Sequence, residues 1–186
     1  MQTLSAGVLA GGEGLRVGGA DKGLLLWRGQ PLVQHVLTAL RSQSVEQLIS
    51  ANRNLETYAG FGAKVVRDQA GHGPLAGLAA LLDAAQQEWL LCVPCDAPLL
   101  PTDLGVRLLA TALAAGAKAS VLHDGQYPHP TFCLVHTSLA ESAQSAALQS
   151  QGLAAWLQQQ GAVPLLGMAP PNLNTAEDFA ALDAQP

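Results

Sequence analysis

Leu4-Ser5-Ala6-Gly7-Val8-Leu9-Ala10-Gly11-Gly12-Glu13-Gly14-Leu15-Arg16-Val17-Gly18-Gly19-Ala20-Asp21-Lys22-Gly23 changes character halfway. Leu4 to Leu9 reads as a core strand, and from Gly11 onward glycines cluster around the cations Arg16 and Lys22. Glycine lets the backbone approach an anion closely, so that N–H groups can surround phosphates while the cations neutralise them. Pro31 then stands where a first-turn proline belongs, and Leu32, Val33, Val36, Leu37 and Leu40 make one apolar helical face ending near Arg41. Strand, glycine loop and helix in that order predict a polyphosphate loop at the start of an α/β domain.

Two standard versions of that loop do not fit. The Walker pattern needs Lys preceded by Gly and followed by Ser or Thr, whereas Lys22 lies between Asp21 and Gly23. A dinucleotide fingerprint on Gly12 and Gly14 needs a third glycine where Val17 stands, which disfavours a Rossmann dehydrogenase.

Outward from the loop, short apolar runs alternate with helical patterns, the form of a mostly parallel α/β sheet. Strands are expected at 47–51, 64–67, 119–122, 131–135 and 163–166, and helices at 74–86 and 102–115. Trp89 to Val93 is a nearly unbroken apolar run, as expected of a strand covered on both faces. Residues 140–160 are Ala- and Gln-rich and read as helical, with Trp156 as a core anchor, and Thr175 with Asp178 predicts the cap of a last helix through Leu182. The absence of a linker or internal repeat predicts a single domain over residues 1–186.

The net charge of −5 argues against broad nucleic-acid binding, and no apolar run reaches the ~18 residues of a membrane span. The N-terminus lacks a basic patch and the long apolar core of a secretory signal, so a cytoplasmic protein is expected. Cys92 and Cys95 have the spacing of a zinc or redox pair, but no second pair exists, and they are expected to be buried hydrophobes.

Asp96 follows the apolar run 89–93, at the carboxyl end of a buried strand where open α/β sheets bind ligands. A carboxylate opposite a triphosphate loop suits Mg²⁺, which takes one or two protein carboxylates and completes its shell with phosphate oxygens and water. Asp68, after the strand at 64–67, is a second carboxylate whose alternative role is a cap or a partner of Arg67. His35 and His136 read as surface or core residues, His72 sits in a glycine turn, and His129 is held extended between Pro128 and Pro130, where it and His123 could meet an acceptor.

The loop, Gly29-Gln30-Pro31-Leu32, Ala51-Asn52-Arg53-Asn54, Asp68 with Gly73-Pro74-Leu75-Ala76-Gly77, Pro94-Cys95-Asp96-Ala97-Pro98, His123-Asp124-Gly125, His129-Pro130-Thr131-Phe132 and Asn172-Leu173-Asn174-Thr175 occur in a familiar order. Over nearly its whole length the chain resembles the molybdenum cofactor guanylyltransferases. The resemblance implies a three-layer, Rossmann-like nucleotidyltransferase fold of the nucleotide-diphospho-sugar transferase type, with a nucleotide-binding N-terminal half and an acceptor-binding C-terminal half. It implies transfer of GMP from GTP to the phosphate of molybdopterin with Mg²⁺, and leaves room for a partner that delivers molybdopterin.

By that likeness Leu9, Ala10, Gly11 and Gly12 line the nucleotide, Arg16 and Lys22 hold the triphosphate, and Asp68 belongs to the nucleoside pocket. Asp96 carries the metal, and His129, Asn172 and Asn174 lie near the acceptor. Ser50 belongs to the same nucleotide site and stands where relatives usually have Asn, so its hydroxyl replaces an amide at the base contact, and Gly152-Leu153-Ala154-Ala155 stands where they carry two cations. Cytidylyl, adenylyl or sugar-phosphate transfer, and a non-catalytic nucleotide-binding adaptor, are the alternatives; retention of Arg16, Lys22 and Asp96 disfavours the adaptor.

Overall fold

The computed structural model describes residues 3–11, 21–68, 71–171, 173 and 178. Gly12, Arg16, Asn172, Asn174 and the cap residue Thr175 lie outside these described residues. A seven-stranded sheet runs in the order β5-β4-β1-β6-β8-β7-β9. Its strands are β1 (Leu4–Leu9), β4 (Glu46–Ser50), β5 (Lys64–Val66), β6 (Trp89–Pro94), β7 (Ala119–His123), β8 (Pro128–His136) and β9 (Val163–Leu166). Only β8 runs against its neighbours β6 and β7; the other pairings are parallel. A two-stranded hairpin, β2 (Leu26–Trp27) with β3 (Gln30–Pro31), stands apart from it.

Side chains alternate across the central strands. Leu4, Ala6 and Val8 of β1, with Trp89, Leu91 and Val93 of β6, pack against helices α1 (Leu32–Leu40) and α4 (Leu104–Ala114). Leu90 and Cys92 face the other way, onto α3 (Pro74–Ala84), α5 (Ala140–Leu148) and α6 (Leu153–Gln159). This makes three layers, and most strand residues on both faces are apolar because both faces are covered, with Ser5 and Ser120 among the buried polar exceptions. Helix α3 lies so close to β1 that a Cβ on Gly7 would come within 2.8 Å of Leu81, and one on Gly77 within 2.8 Å of Leu9.

The helix expected across 140–160 is two helices. Ser150 takes φ +57 between α5 and α6, a left-handed conformation that ends a helix, and Gly152 restarts the chain in extended form. Strand β8 is longer than expected because Cys133 and His129 pair with the consecutive β7 residues Val121 and Leu122, leaving Pro130, Thr131 and Phe132 as a bulge. Pro130 has no N–H to give the ladder. Pro31 precedes α1 as its N-cap and sits in β3, one position before the expected first turn. No helix among the described residues is long and apolar enough to cross a membrane.

Candidate functional site

From β1 the chain passes to β4 and β5 on one side and then crosses to β6 on the other, so strand order reverses around β1. Such a reversal opens a crevice at the carboxyl ends of the strands, because the connections leave in opposite directions. Leu9, Ser50, Val66 and Pro94 are the last residues of β1, β4, β5 and β6, and of the sequence-derived residues Ala10, Gly11, Asp68 and Asp96 follow just beyond such ends. The ladder continues past those ends: Ala10 N–H donates to Ser50 O at 2.8 Å, Ala51 N–H to Val66 O at 3.0 Å, and Cys95 N–H to Leu9 O at 3.1 Å.

The bond from Cys95 to Leu9 sets the N-terminal flank of the glycine loop beside Asp96, and Lys22 reaches it from the other flank. Lys22 Nζ lies 3.5 Å from Asp96 Oδ2. Asp96 Oδ1 is buried and accepts no hydrogen bond among the described residues. Burial pushes the Asp96 carboxyl above its ordinary range, against the lowering influence of Lys22. A buried carboxylate oxygen left open is costly unless a ligand completes it, and a hard cation such as Mg²⁺ fits that donor. Among the described residues no three His, Cys, Asp or Glu side chains gather into a protein-only metal cage. Asp96 therefore suits a cation that draws its remaining oxygens from a substrate and water.

Asp68 is held on the opposite flank of β1. Its Oδ1 accepts from Ser50 Oγ at 2.6 Å, its Oδ2 from Asn52 Nδ2 at 2.9 Å, and its own N–H donates to Asn52 Oδ1 at 3.2 Å. The alternative of an Arg67 partner is not what locks it. Gly11 faces this cluster, since a Cβ there would lie 3.4 Å from Asn52 Nδ2 and 3.5 Å from Asp68 Oδ2. Ser50 is 1 % exposed, so its hydroxyl serves Asp68 from within the core. Leu9 sends its side chain into the α3 side of the core and Ala10 is buried, which leaves their backbone to line the crevice.

Replacing Ser50 with Ala would leave Asp68 one donor short at a site where water has little access. The loss is about 1 kcal/mol, a fall of roughly 2–4 °C in unfolding midpoint for a chain of this size. Thermal unfolding checks this, and an unchanged midpoint would show that the bond contributes nothing net.

His129 is the second residue of β8, the strand antiparallel to β6, which puts it at the same end of the sheet as Asp96. Its Nε2 is 2.9 Å from Asp124 Oδ2, and Asp124 Oδ1 accepts the N–H groups of Tyr127 and Gln126. Those backbone bonds, and then His129, hold the Asp124 carboxyl well below the usual carboxylate range. His123 Nδ1 accepts the Gly125 N–H at 3.0 Å in the same turn. The C-terminal segment reaches the site as well: Leu173 N–H donates to Asp96 O at 2.8 Å, and its side chain is buried with Trp27 and Leu32. His35 is half-buried, its ring tilted on Trp27 and its Nε2 2.9 Å from Trp27 O. All three cysteines are buried and free, with Cys92 opposite Cys133 across β6 and β8.

Sequence reasoning missed the grip on Asp21. Tyr58 and Asn54 both donate to its carboxylate, and the four-residue spacing of 54 and 58 was the available signal, hidden because helix α2 (Leu55–Ala59) is only five residues long.

A cation and an open carboxylate meet at the switch point of a three-layer sheet, and the chain is a nucleotidyltransferase: it belongs to the MobA-like NTP transferase domain family, whose profile matches residues 6–163. It is 43% identical over 184 residues, 95% of this chain and 97% of the relative, to the molybdenum cofactor guanylyltransferase of Pasteurella multocida (strain Pm70). The protein of that name from Mannheimia succiniciproducens is 43% identical over 164 residues, covering 87% of this chain and 86% of its own. Among solved structures, molybdopterin-guanine dinucleotide biosynthesis protein A from Archaeoglobus fulgidus superposes with a TM-score of 0.78 at 21% identity, covering 95% of each chain. The 2-C-methyl-D-erythritol 4-phosphate cytidylyltransferase from Thermus thermophilus follows the same fold, with a TM-score of 0.73 at 20% identity over 96% of each chain.

Proposed function

We propose that this chain transfers GMP from GTP to the phosphate of molybdopterin, releasing pyrophosphate and forming the guanine dinucleotide of the cofactor. The observation that carries the reading is the buried, open Oδ1 of Asp96 with Lys22 beside it at the carboxyl end of β6. Asp96 would hold Mg²⁺, which supplies positive charge at the phosphate oxygens and fixes their orientation. The N-terminal half binds nucleotide and the C-terminal half the acceptor, within one domain.

Negative charge grows on the leaving pyrophosphate as its bond to the α-phosphorus breaks. Lys22, with Arg16 by family likeness, is worth more at that moment than in the ground state, which is what accelerates the step. Backbone amides around Gly11 and Gly12 surround the phosphates without side-chain crowding. Asp68, both oxygens already bonded to Ser50 and Asn52, has lone pairs left to accept from the nucleoside. The attacking group is an anionic phosphate, so no general base is needed and no covalent enzyme intermediate is formed. His129, Asn172 and Asn174 hold the acceptor. The reading places the enzyme in the cytoplasm with small-molecule substrates, neither nucleic acid nor membrane among its partners, and a molybdopterin-delivering protein as a further one.

Incubation with Mg²⁺, GTP and a molybdopterin-bearing acceptor should yield a guanine dinucleotide product detectable by mass. GTP with Mg²⁺ at about 100 times its dissociation constant should stabilise the fold by roughly 2.7 kcal/mol, raising the unfolding midpoint by about 5–10 °C. CTP should leave it unchanged. Protection by CTP and not by GTP would replace the guanylyl reading with a cytidylyl one.

A further inference from the structure

Asp21, directly before Lys22, receives more hydrogen bonds than a turn requires. It caps the short 3-10 turn Lys22–Leu24 by accepting the Gly23 N–H on Oδ1 at 3.3 Å. The Tyr58 hydroxyl donates to the same oxygen at 2.5 Å, and the Asn54 amide donates to Oδ2 at 3.0 Å. Asn54 stands just before α2 and Tyr58 lies within it, so the start of the helix presents both donors together. Asn54 takes φ 51 and ψ 35, a left-handed conformation that asparagine enters at low cost, and its carbonyl accepts the Tyr58 N–H at 3.0 Å.

Tyr58 is fully buried and lies directly under the turn, where a Cβ on Gly23 would come within 2.5 Å of its oxygen. Burial first, and then the bond to Asp21, push the phenol far above its ordinary range, so it stays a neutral donor at every working pH. The stretch from Ser50 to Tyr58 thus holds two carboxylates, Asp68 through Ser50 and Asn52 and Asp21 through Asn54 and Tyr58. Lysine is a point charge on a long flexible stem, and fixing the backbone at its root restricts where the ammonium can go.

We infer that Asp21, clamped by Tyr58 and Asn54, is a positioning residue that fixes Lys22 beside Asp96 for the transfer step. The inference rests on the nucleotidyl-transfer reading above. Tyr58→Phe removes only the oxygen from the clamp. Single-turnover pyrophosphate release by the folded variant should fall roughly 10- to 100-fold, the loss expected of a misplaced catalytic group, with the acceptor KM unchanged.

A merely structural bond would cost stability and act equally in any background, so the deciding comparison is made in Lys22→Met. There Tyr58→Phe should produce no further loss, because nothing remains to be positioned. An equal loss in both backgrounds, or wild-type release by folded Tyr58→Phe, would overturn the inference while leaving the transfer reading in place. Lys22→Met with wild-type release would instead remove the transfer role of Lys22, and the inference with it. Should Tyr58→Phe fail to fold, Asn54→Gly runs the same comparison, since glycine accepts φ 51 and the amide is exposed.

Discussion

Asp96→Asn is expected to slow pyrophosphate release by about 10³-fold or more and, in the absence of ligands, to make the protein more heat-stable. The first effect follows from the proposed metal role: a carboxylate that holds the cation at the reacting phosphates supplies several kcal/mol, and each ~1.4 kcal/mol is tenfold in rate. The second follows from burial. Asp96 is 8% exposed and its carboxyl is raised above its ordinary value of 3.8 by desolvation, with Lys22 only partly opposing. A carboxyl whose folded pKa lies above the unfolded one favours folding fully in acid and loses that contribution as pH climbs through the raised value. At neutral pH the free protein therefore carries a buried negative charge at a cost.

Asparagine keeps the shape and removes that charge. If the cost is about 1 kcal/mol, the unfolding midpoint at neutral pH should rise by roughly 2–4 °C, and the gain should shrink as the solution is acidified. Thermal unfolding across pH with a pyrophosphate assay separates the two effects. Unchanged release would exclude the metal carboxylate role, and a lower midpoint at neutral pH would show that the charge is well compensated without a ligand.

Lys22→Met should lower pyrophosphate release by about 10²- to 10³-fold, the magnitude of losing one preorganised group at a developing charge. Stability at neutral pH should fall by about 1 kcal/mol, because the buried Asp96 charge loses the cation that offsets it. The pair with Asp96 is at 3.5 Å with Lys22 one quarter exposed, and partly solvated pairs contribute about 1 kcal/mol or less. Removing the cation also takes away the largest influence lowering the Asp96 carboxyl, so the variant should need a higher pH than wild type to bind Mg²⁺. Release at wild-type rate would take Lys22 out of the transfer step, whatever its geometry.

Some elements could be read along the chain because their cause is local. The apolar runs at 4–9 and 89–93 appear as β1 and, with Pro94 added, β6, and Pro74 opens α3 where the leucine spacing begins. Asp96 at a strand tip needed only the end of an apolar run to be seen. The break at Ser150 was not readable from an Ala- and Gln-rich stretch, because nothing in that composition marks a residue for φ +57. Helix α2 and the β2–β3 hairpin are too short for periodicity to register. Ser50 was expected among the nucleotide-binding residues, and only its packing against α3 shows that its hydroxyl also donates to Asp68.

The sequence alone determined the class of the sheet and marked the glycine loop, a strand-end carboxylate and a cation as candidates for the site, since hydrophobic period, glycine freedom and charge act over a few residues. The tertiary structure decided which of these meet. Lys22 comes to Asp96 across 74 residues of chain, Asn54 and Tyr58 come to Asp21, and Leu173 ties the C-terminal segment to the backbone of Asp96. Such contacts depend on strand order and helix approach, which are set by packing of the whole core and are written in no single stretch of the chain.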